Sequence, residues 1–108
     1  MNETEFEERS RSALAAIVLA LESSGADCDC EQKGDGVLEL EFENGSKIIV
    51  NRHAAAQEIW VAAKSGGFHF RFDGAHWLNT RDGDELFASL SRQVSEQSGI
   101  PVLLSGRA

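Results

Sequence analysis

The feature that most constrains this chain is the stretch over residues 38–50, where two apolar-rich runs flank an Asn-Gly pair at 44–45. Asparagine and glycine tolerate the positive φ angles of a tight turn, so the pattern predicts a β-hairpin. A two-residue turn would set Phe42 opposite Lys47, and one more loop residue would set it opposite Ile48. Burial favours the second register, because a one-residue slip turns the apolar side chains toward solvent.

The next alternating run predicts a strand over residues 57–61, with Ile59 and Val61 facing the core. The same alternation places Glu58 and Trp60 on the outward face of the sheet. Two interpretations of Trp60 remain open. The ring is either half covered by its strand neighbours or exposed for docking, since aromatic side chains are enriched at interfaces.

Apolar residues at helical spacing predict a first helix over about 4–23, begun by a capping box between Thr4 and Glu7. The same spacing predicts a second helix over about 84–98. Between them, alternating segments joined by short turns predict about six antiparallel strands. The apolar tail at 102–104 is expected to pack back between the helices.

Each predicted strand has one apolar face, and each helix has one apolar stripe. The simplest arrangement that buries both is an α+β fold, a two-layer α-β sandwich with the N- and C-terminal helices packed on one face of an antiparallel sheet. A chain of 108 residues is long enough to bury such a core alone. We therefore expect residues 1–108 to form a single domain.

Eighteen acidic and ten basic residues give a formal net charge of −8. This charge argues against nucleic acid and anionic membrane surfaces as partners, and it fits a cation or a basic protein. The sequence shows neither an apolar run of bilayer length nor a leader signal at its acidic N-terminus, so we expect a cytoplasmic protein. Cys28 and Cys30 are expected to be reduced and to face the core.

Carboxylates are concentrated on the first predicted helix and the first predicted strand, and we expect them to form one exposed acidic ridge. Carboxylates without thiol or imidazole partners are hard ligands that suit iron, Mn²⁺, Ca²⁺ and Mg²⁺. Metal binding on an exposed ridge would be weak and completed by water. The carboxylates of the acidic ridge are Glu3, Glu5, Glu7, Glu8, Glu22, Asp27, Asp29 and Glu31.

Catalytic motifs are nearly absent from the sequence. His53, His69 and His76 lack the spacing of metal ligands, and neither a nucleophile-elbow serine nor a glycine-rich phosphate loop is present. His69 and His76 lie on neighbouring strands and could face each other, but we expect them to be ordinary surface residues. The sequence therefore favours a protein that is not an enzyme.

Several motifs taken together resemble the frataxin family, and bacterial frataxins above all. The residues that carry the resemblance are 42–52, 59–61, 66–70, Trp77 and 81–83. The resemblance extends over essentially the whole chain, including its acidic N-terminal region. It implies two helices on an antiparallel sheet and a role in iron–sulfur cluster assembly.

The resemblance further implies an iron-responsive regulator of the cysteine desulfurase or an iron donor, with Fe²⁺ or Fe³⁺ bound weakly at the surface. It implies docking on the desulfurase and on the scaffold protein, and a monomer when iron-free. The partner-facing positions would be Asn51, Glu58 and Trp60. Carried over by position, the metal ligands would be Glu3, Glu7, Glu22, Asp27, Asp29 and Glu31.

Two other functions remain open. A ferroxidase or iron-storage protein would be supported by buried Glu-x-x-His di-iron sites, and the sequence contains none. A metal-independent acidic adaptor would use its carboxylates for protein docking alone. The chain also departs from the bacterial pattern, because Val18 and Leu19 occupy positions that are often acidic. This change thins the acidic ridge.

Overall fold

The computed structural model describes residues 1–105. Helix α1 (Glu3–Ser24) precedes a six-stranded sheet and helix α2 (Leu86–Ser98) follows it. All neighbouring strands are antiparallel, and their order in the sheet is their order in the chain. The strands are β1 (Cys28–Gln32), β2 (Val37–Phe42), β3 (Lys47–His53), β4 (Glu58–Ala63), β5 (Gly66–Phe72) and β6 (Trp77–Asn79).

One hydrophobic core joins the inner face of the sheet to both helices, which confirms the predicted α+β sandwich. Alternate residues of the central strands are fully buried, as their period of two requires. Within residues 1–105, neither helix is long and apolar enough to cross a bilayer. The largest buried side chains include Phe6, Ile17, Leu40, Val50, Ile59, Phe70 and Leu90.

The β2–β3 hairpin has a register that differs from both predicted ones. Leu40 pairs with Ile48, and the backbone N–H of Phe42 donates to the carbonyl of Ser46 at 2.9 Å. The loop therefore has three residues and ends at Gly45, whose φ is +85°. Three-residue hairpin loops commonly end in such a left-handed residue. The apolar side chains still share one face, as the burial argument required.

Both helices begin differently from the prediction. Asn2 caps α1, because its side-chain oxygen accepts the N–H three residues on at 2.8 Å. The predicted capping box between Thr4 and Glu7 is therefore wrong. Helix α2 begins two residues later than predicted, because the carboxylate of Glu85 accepts the backbone N–H of Phe87 at 2.9 Å and acts as its N-cap.

The C-terminal tail packs against α2. Val102 and Leu104 are buried, whereas Leu103 between them is 80% exposed. Two serine hydroxyls of α2 hold the tail backbone: Ser95 Oγ accepts the N–H of Val102 and Ser91 Oγ accepts the N–H of Leu104, both at 2.8 Å. These contacts show that the tail packs back on α2, and its position between the two helices stays a prediction.

The two cysteines lie on the inner side of β1, opposite Phe42 and Leu40 of β2, and both are free thiols. Cys28 is half-buried, but Cys30 is exposed, so the prediction that both face the core is wrong for Cys30. The reason is that β1 is an edge strand whose inner side the helices cover only in part. Partial burial raises the pKa of both thiols, and the negative charge of Glu22 adds to the rise at Cys30.

Candidate functional site

Trp60 stands on β4 at the centre of the outward sheet face, between two histidines. Its indole stacks on the ring of His53 from β3, with centroids 3.8 Å apart and planes at 12°. It also stacks on the ring of His69 from β5, at 4.4 Å and 8°. Trp60 is therefore half-buried by its strand neighbours, and His69 is a surface residue, as expected, that also takes part in this stack.

The carboxylate of Glu58, on the same face of β4, hydrogen-bonds to the indole of Trp60. Its side chain is 8% exposed, and it accepts hydrogen bonds from Trp60 Nε1 and from the Arg71 guanidinium, both at 2.8 Å. Burial alone would raise the pKa of Glu58, but the hydrogen bonds from Trp60 and Arg71 and the charge of Arg71 outweigh it and lower the pKa. Little of Glu58 is left for direct contact with a partner. The structure shows it orienting Trp60.

Asn51 on β3 pairs with Trp60 across the β3–β4 ladder and is half-buried. The three residues expected to face a partner therefore lie side by side on the outward face. The β1–β2 end of this face carries carboxylates, whereas His53, His69 and Arg71 lie around Trp60.

The acidic ridge is not the continuous strip that the sequence suggested. Glu3 and Glu22 lie at opposite ends of α1, and at 1.5 Å of rise per residue they are about 28 Å apart. Glu3 lies near Gln57, Arg71 and Phe72, at the end of the sheet remote from Glu22. Carboxylates at such separations cannot bind one metal ion.

Positive side chains neutralise the middle of the ridge. Glu7 forms an ion pair with Arg11 at 2.9 Å, and Arg52 lies 3.9 Å from the same carboxylate. Arg52 also pairs with Asp35 at 2.8 Å. At the far end of β1, Glu31 pairs with a neighbouring lysine at 3.1 Å. Glu7 and Glu31 are therefore the least available of the predicted metal ligands.

The remaining carboxylates gather at the start of β1. The register places Asp29 directly opposite Glu41, and both line one depression of about 400 Å³ with Asp27 and Glu43. We call these four residues the acidic corner. Asp27 also lines a neighbouring depression with Glu22. Like charges directly opposite each other on a sheet destabilise the pair, so the corner favours association with a cation.

Glu41 and Glu43 were not among the predicted ligands. Only the pairing of β1 with β2 brings them to Asp29, and the alternation over residues 38–43 did not reveal that pairing. Across the described part of the chain, no group of three or more histidine, cysteine, aspartate or glutamate side chains is arranged to hold a metal ion. The acidic corner is therefore a loose cluster of hard donors, and its role as a metal site stays a prediction.

A sequence model of the frataxin-like domain matches residues 1–100. Two similar relatives are both named iron-sulfur cluster assembly protein CyaY. The protein of Janthinobacterium sp. (strain Marseille) is 66% identical over 73 residues, which are 67% of this chain and 65% of that protein. That match thus spans slightly less than two thirds of the relative. The protein of Dechloromonas aromatica (strain RCB) is 54% identical over 96% of this chain and 99% of its own.

Solved structures show the same architecture. Frataxin from Psychromonas ingrahamii matches with a TM-score of 0.89 at 35% identity, over 97% of this chain and 99% of that one. A ferrous complex of trimeric frataxin from the yeast Saccharomyces cerevisiae matches with a TM-score of 0.65 at 22% identity, over 92% and 88% of the two chains, and supports the fold alone. Because the domain model, a relative of nearly equal length and the fold agree, the chain belongs to the frataxin-like family.

Proposed function

We propose that this chain acts in cytoplasmic iron–sulfur cluster assembly as a protein without enzymatic activity. It binds iron and docks on a cysteine desulfurase and on the scaffold protein. The names of its relatives and its membership of the family support the assembly role. The structural observation that carries the proposal is the outward sheet face, with the acidic corner at one end and the rigid Trp60 stack at the centre.

In this proposal iron is either the cargo of the protein or its effector. The oxygen ligands of the acidic corner are of the kind that iron prefers. Asp29 and Glu41 are hard oxygen donors placed directly opposite each other, and a bound cation relieves their mutual repulsion. Because no three ligands converge among residues 1–105, binding is weak and completed by water. The site therefore loads and releases iron rather than retaining it.

The same carboxylates attract a basic patch on the desulfurase. A carboxylate that coordinates iron is less available for an ion pair with lysine or arginine, so iron binding and docking compete. This competition gives a physical route by which the chain senses iron while it regulates the desulfurase. Trp60 lies outside the corner, and it serves the contact with the scaffold protein.

Anaerobic titration with Fe²⁺, followed by calorimetry and by NMR, tests the metal site. We expect shifts at Asp27, Asp29 and Glu41, and affinity several-fold weaker after the double change Asp29→Asn with Glu41→Gln. Glu7→Gln is the matched control, because its carboxylate is already paired with Arg11. Absence of heat and of shifts at the acidic corner would leave a metal-independent adaptor.

Binding of the scaffold protein tests the second contact. Trp60→Ala is expected to weaken this binding at least tenfold, because the stacked indole is the large rigid anchor of the outward face. Leu103→Ala, an exposed apolar truncation on the tail, is the control and should bind as the parent does. An unchanged dissociation constant for Trp60→Ala would place the scaffold contact elsewhere.

A further inference from the structure

An open apolar groove runs along the edge of the molecule between α1 and the end of the β1–β2 hairpin. Its volume is about 490 Å³. Leu14, Val18 and Leu19 of α1 form one wall, and Gln32 and Leu38 lie on the other. Leu19 on the rim of the groove is 64% exposed.

The groove has a charged continuation. Val18 also lines the neighbouring depression that contains Glu22 and Asp27, so the apolar space opens directly toward two carboxylates. Within residues 1–105, neither carboxylate forms an ion pair. At the opposite end of the groove, Asp35 is already paired with Arg11 and Arg52. An occupant would therefore find negative charge without a partner at one end only.

Strand β1 adds a second recognition element beside the groove. It is the first strand of the sheet order, so its outer backbone edge has no strand neighbour in the described part of the chain. Side chains alternate along β1: Cys28 and Cys30 point to the inner side, toward α1, whereas Asp29 and Glu31 point to the outward face. The edge is therefore apolar on one side and acidic on the other.

We propose that an extended segment of the cysteine desulfurase adds to the free edge of β1 as a further strand. Its inner side chains are apolar and enter the groove beside Leu19, and its outer side chains are lysine or arginine and meet Asp27 and Asp29. Strand addition supplies backbone hydrogen bonds, and the alternating side chains supply specificity. The inference rests on the proposed function, from which it takes the partner.

Charge complementarity selects this occupant over a second copy of the chain. Pairing two β1 edges would bring the carboxylates of Asp27 and Asp29 close to those of the second copy, and such like-charge contacts are unfavourable. A basic segment instead relieves the repulsion already present at the edge. The partner segment is thus expected to alternate apolar and basic residues.

Affinity for the desulfurase is the first test, measured with the full chain. Leu19→Glu is expected to weaken binding at least tenfold, because it places a charge in the apolar groove. Leu103→Glu is the matched control, because Leu103 is also an exposed leucine and lies on another surface, and it should change the affinity less than twofold. Thermal melting confirms that both variants are folded.

Charge reversal separates this inference from the proposed function. If Asp29→Lys weakens binding but Leu19→Glu does not, the desulfurase docks on the acidic surface and the groove proposal is wrong. If neither change has an effect, docking on this edge is wrong as well. Amide hydrogen exchange tests strand addition, since amides of β1 that point away from β2 should become protected in the complex. Unchanged exchange across β1 would overturn it.

Discussion

The indole N–H of Trp60 is half-buried on the outward face, where it needs an acceptor that the sheet backbone does not supply. Glu58 supplies it and receives a second hydrogen bond from Arg71. Buried aromatic residues with a polar atom commonly find such a partner. The orientation of the stacked ring therefore depends on a single buried carboxylate, and exposed acidic residues of the same sheet have no comparable role.

Glu58→Gln is expected to lower the free energy of unfolding by about 1–2 kcal/mol at neutral pH. The amide oxygen still accepts a hydrogen bond from Trp60, but the charge-assisted bond from Arg71 is weakened. Urea unfolding measures the change. Glu43→Gln, on an exposed loop residue, is the control and should alter stability by less than about 0.5 kcal/mol. Equal effects of the two changes would contradict the role of Glu58.

The stability difference between the parent and Glu58→Gln is also expected to depend on pH. The pKa of Glu58 is lowered in the folded state, so the unfolded state binds its proton more readily. Its contribution is therefore complete above the unfolded pKa and is lost as pH falls through the folded pKa. The difference between the parent and Glu58→Gln should shrink as the pH is lowered from 7 to about 3. A difference that stays constant would show that the charge contributes nothing.

Arg52 of β3 connects helix α1 to the sheet by ion pairs with Glu7 of α1 and with Asp35 in the β1–β2 turn. The side chain of Arg52 is 11% exposed. Gly36 in that turn has φ +80°, and a Cβ there would lie 2.8 Å from Arg52 Nε. A glycine is needed at this point for its backbone conformation and for the space that the guanidinium occupies.

Gly36→Ala should therefore destabilise the chain more than Gly45→Ala. Both glycines have a left-handed backbone, which costs an L-residue about 1–2 kcal/mol. A Cβ at Gly45 meets nothing within 4 Å, whereas one at Gly36 must displace Arg52. We expect an additional loss of about 1 kcal/mol or more at Gly36, by urea unfolding. Equal losses at the two glycines would show that Arg52 moves aside without cost.

The β1–β2 pair carries a repulsion that can be removed. Asp29 and Glu41 are direct cross-strand neighbours, so Asp29→Asn is expected to stabilise the chain by about 0.2–1 kcal/mol at low salt. Glu5→Gln is the matched control of opposite sign, because a carboxylate in the first turn of α1 stabilises the helix dipole. Melting temperatures at low and high salt measure both. A loss of stability in Asp29→Asn would mean that the pair is not repulsive.

Local patterns were sufficient for the elements and for the core. Leu38, Leu40 and Phe42 alternate along their strand, and the apolar residues of the helices recur at helical spacing. Both patterns reflect which side chains are buried, and the structure buries them as predicted. The Trp60 stack could not be predicted in this way, because His53 and His69 meet only once β3, β4 and β5 are in register. Register is a property of the assembled sheet.

The acidic residues do not form a continuous strip because α1 is much longer than β1. Helix α1 has 22 residues and spans about 33 Å, whereas β1 has five residues and spans about 17 Å. The strand can accompany only part of the helix. Carboxylates beyond it, such as Glu3, lie beside other elements, and those beside the turn meet Arg11 and Arg52. Counting acidic residues could not reveal which of them positive side chains neutralise.

The tail covers part of the core beside α2 through Val102 and Leu104. Removing residues 102–108 exposes the part of the core that Val102 and Leu104 cover. It also removes the backbone N–H groups that donate to the hydroxyls of Ser91 and Ser95. Each buried aliphatic side chain contributes about 1.5–3 kcal/mol, so the truncated chain should lose about 3 kcal/mol or more. Urea unfolding followed by circular dichroism measures the loss. Leu103→Ala, on the exposed side of the same segment, should stay within about 0.5 kcal/mol of the parent. A truncated chain with an unchanged midpoint would show that the tail lies on a core that is already complete.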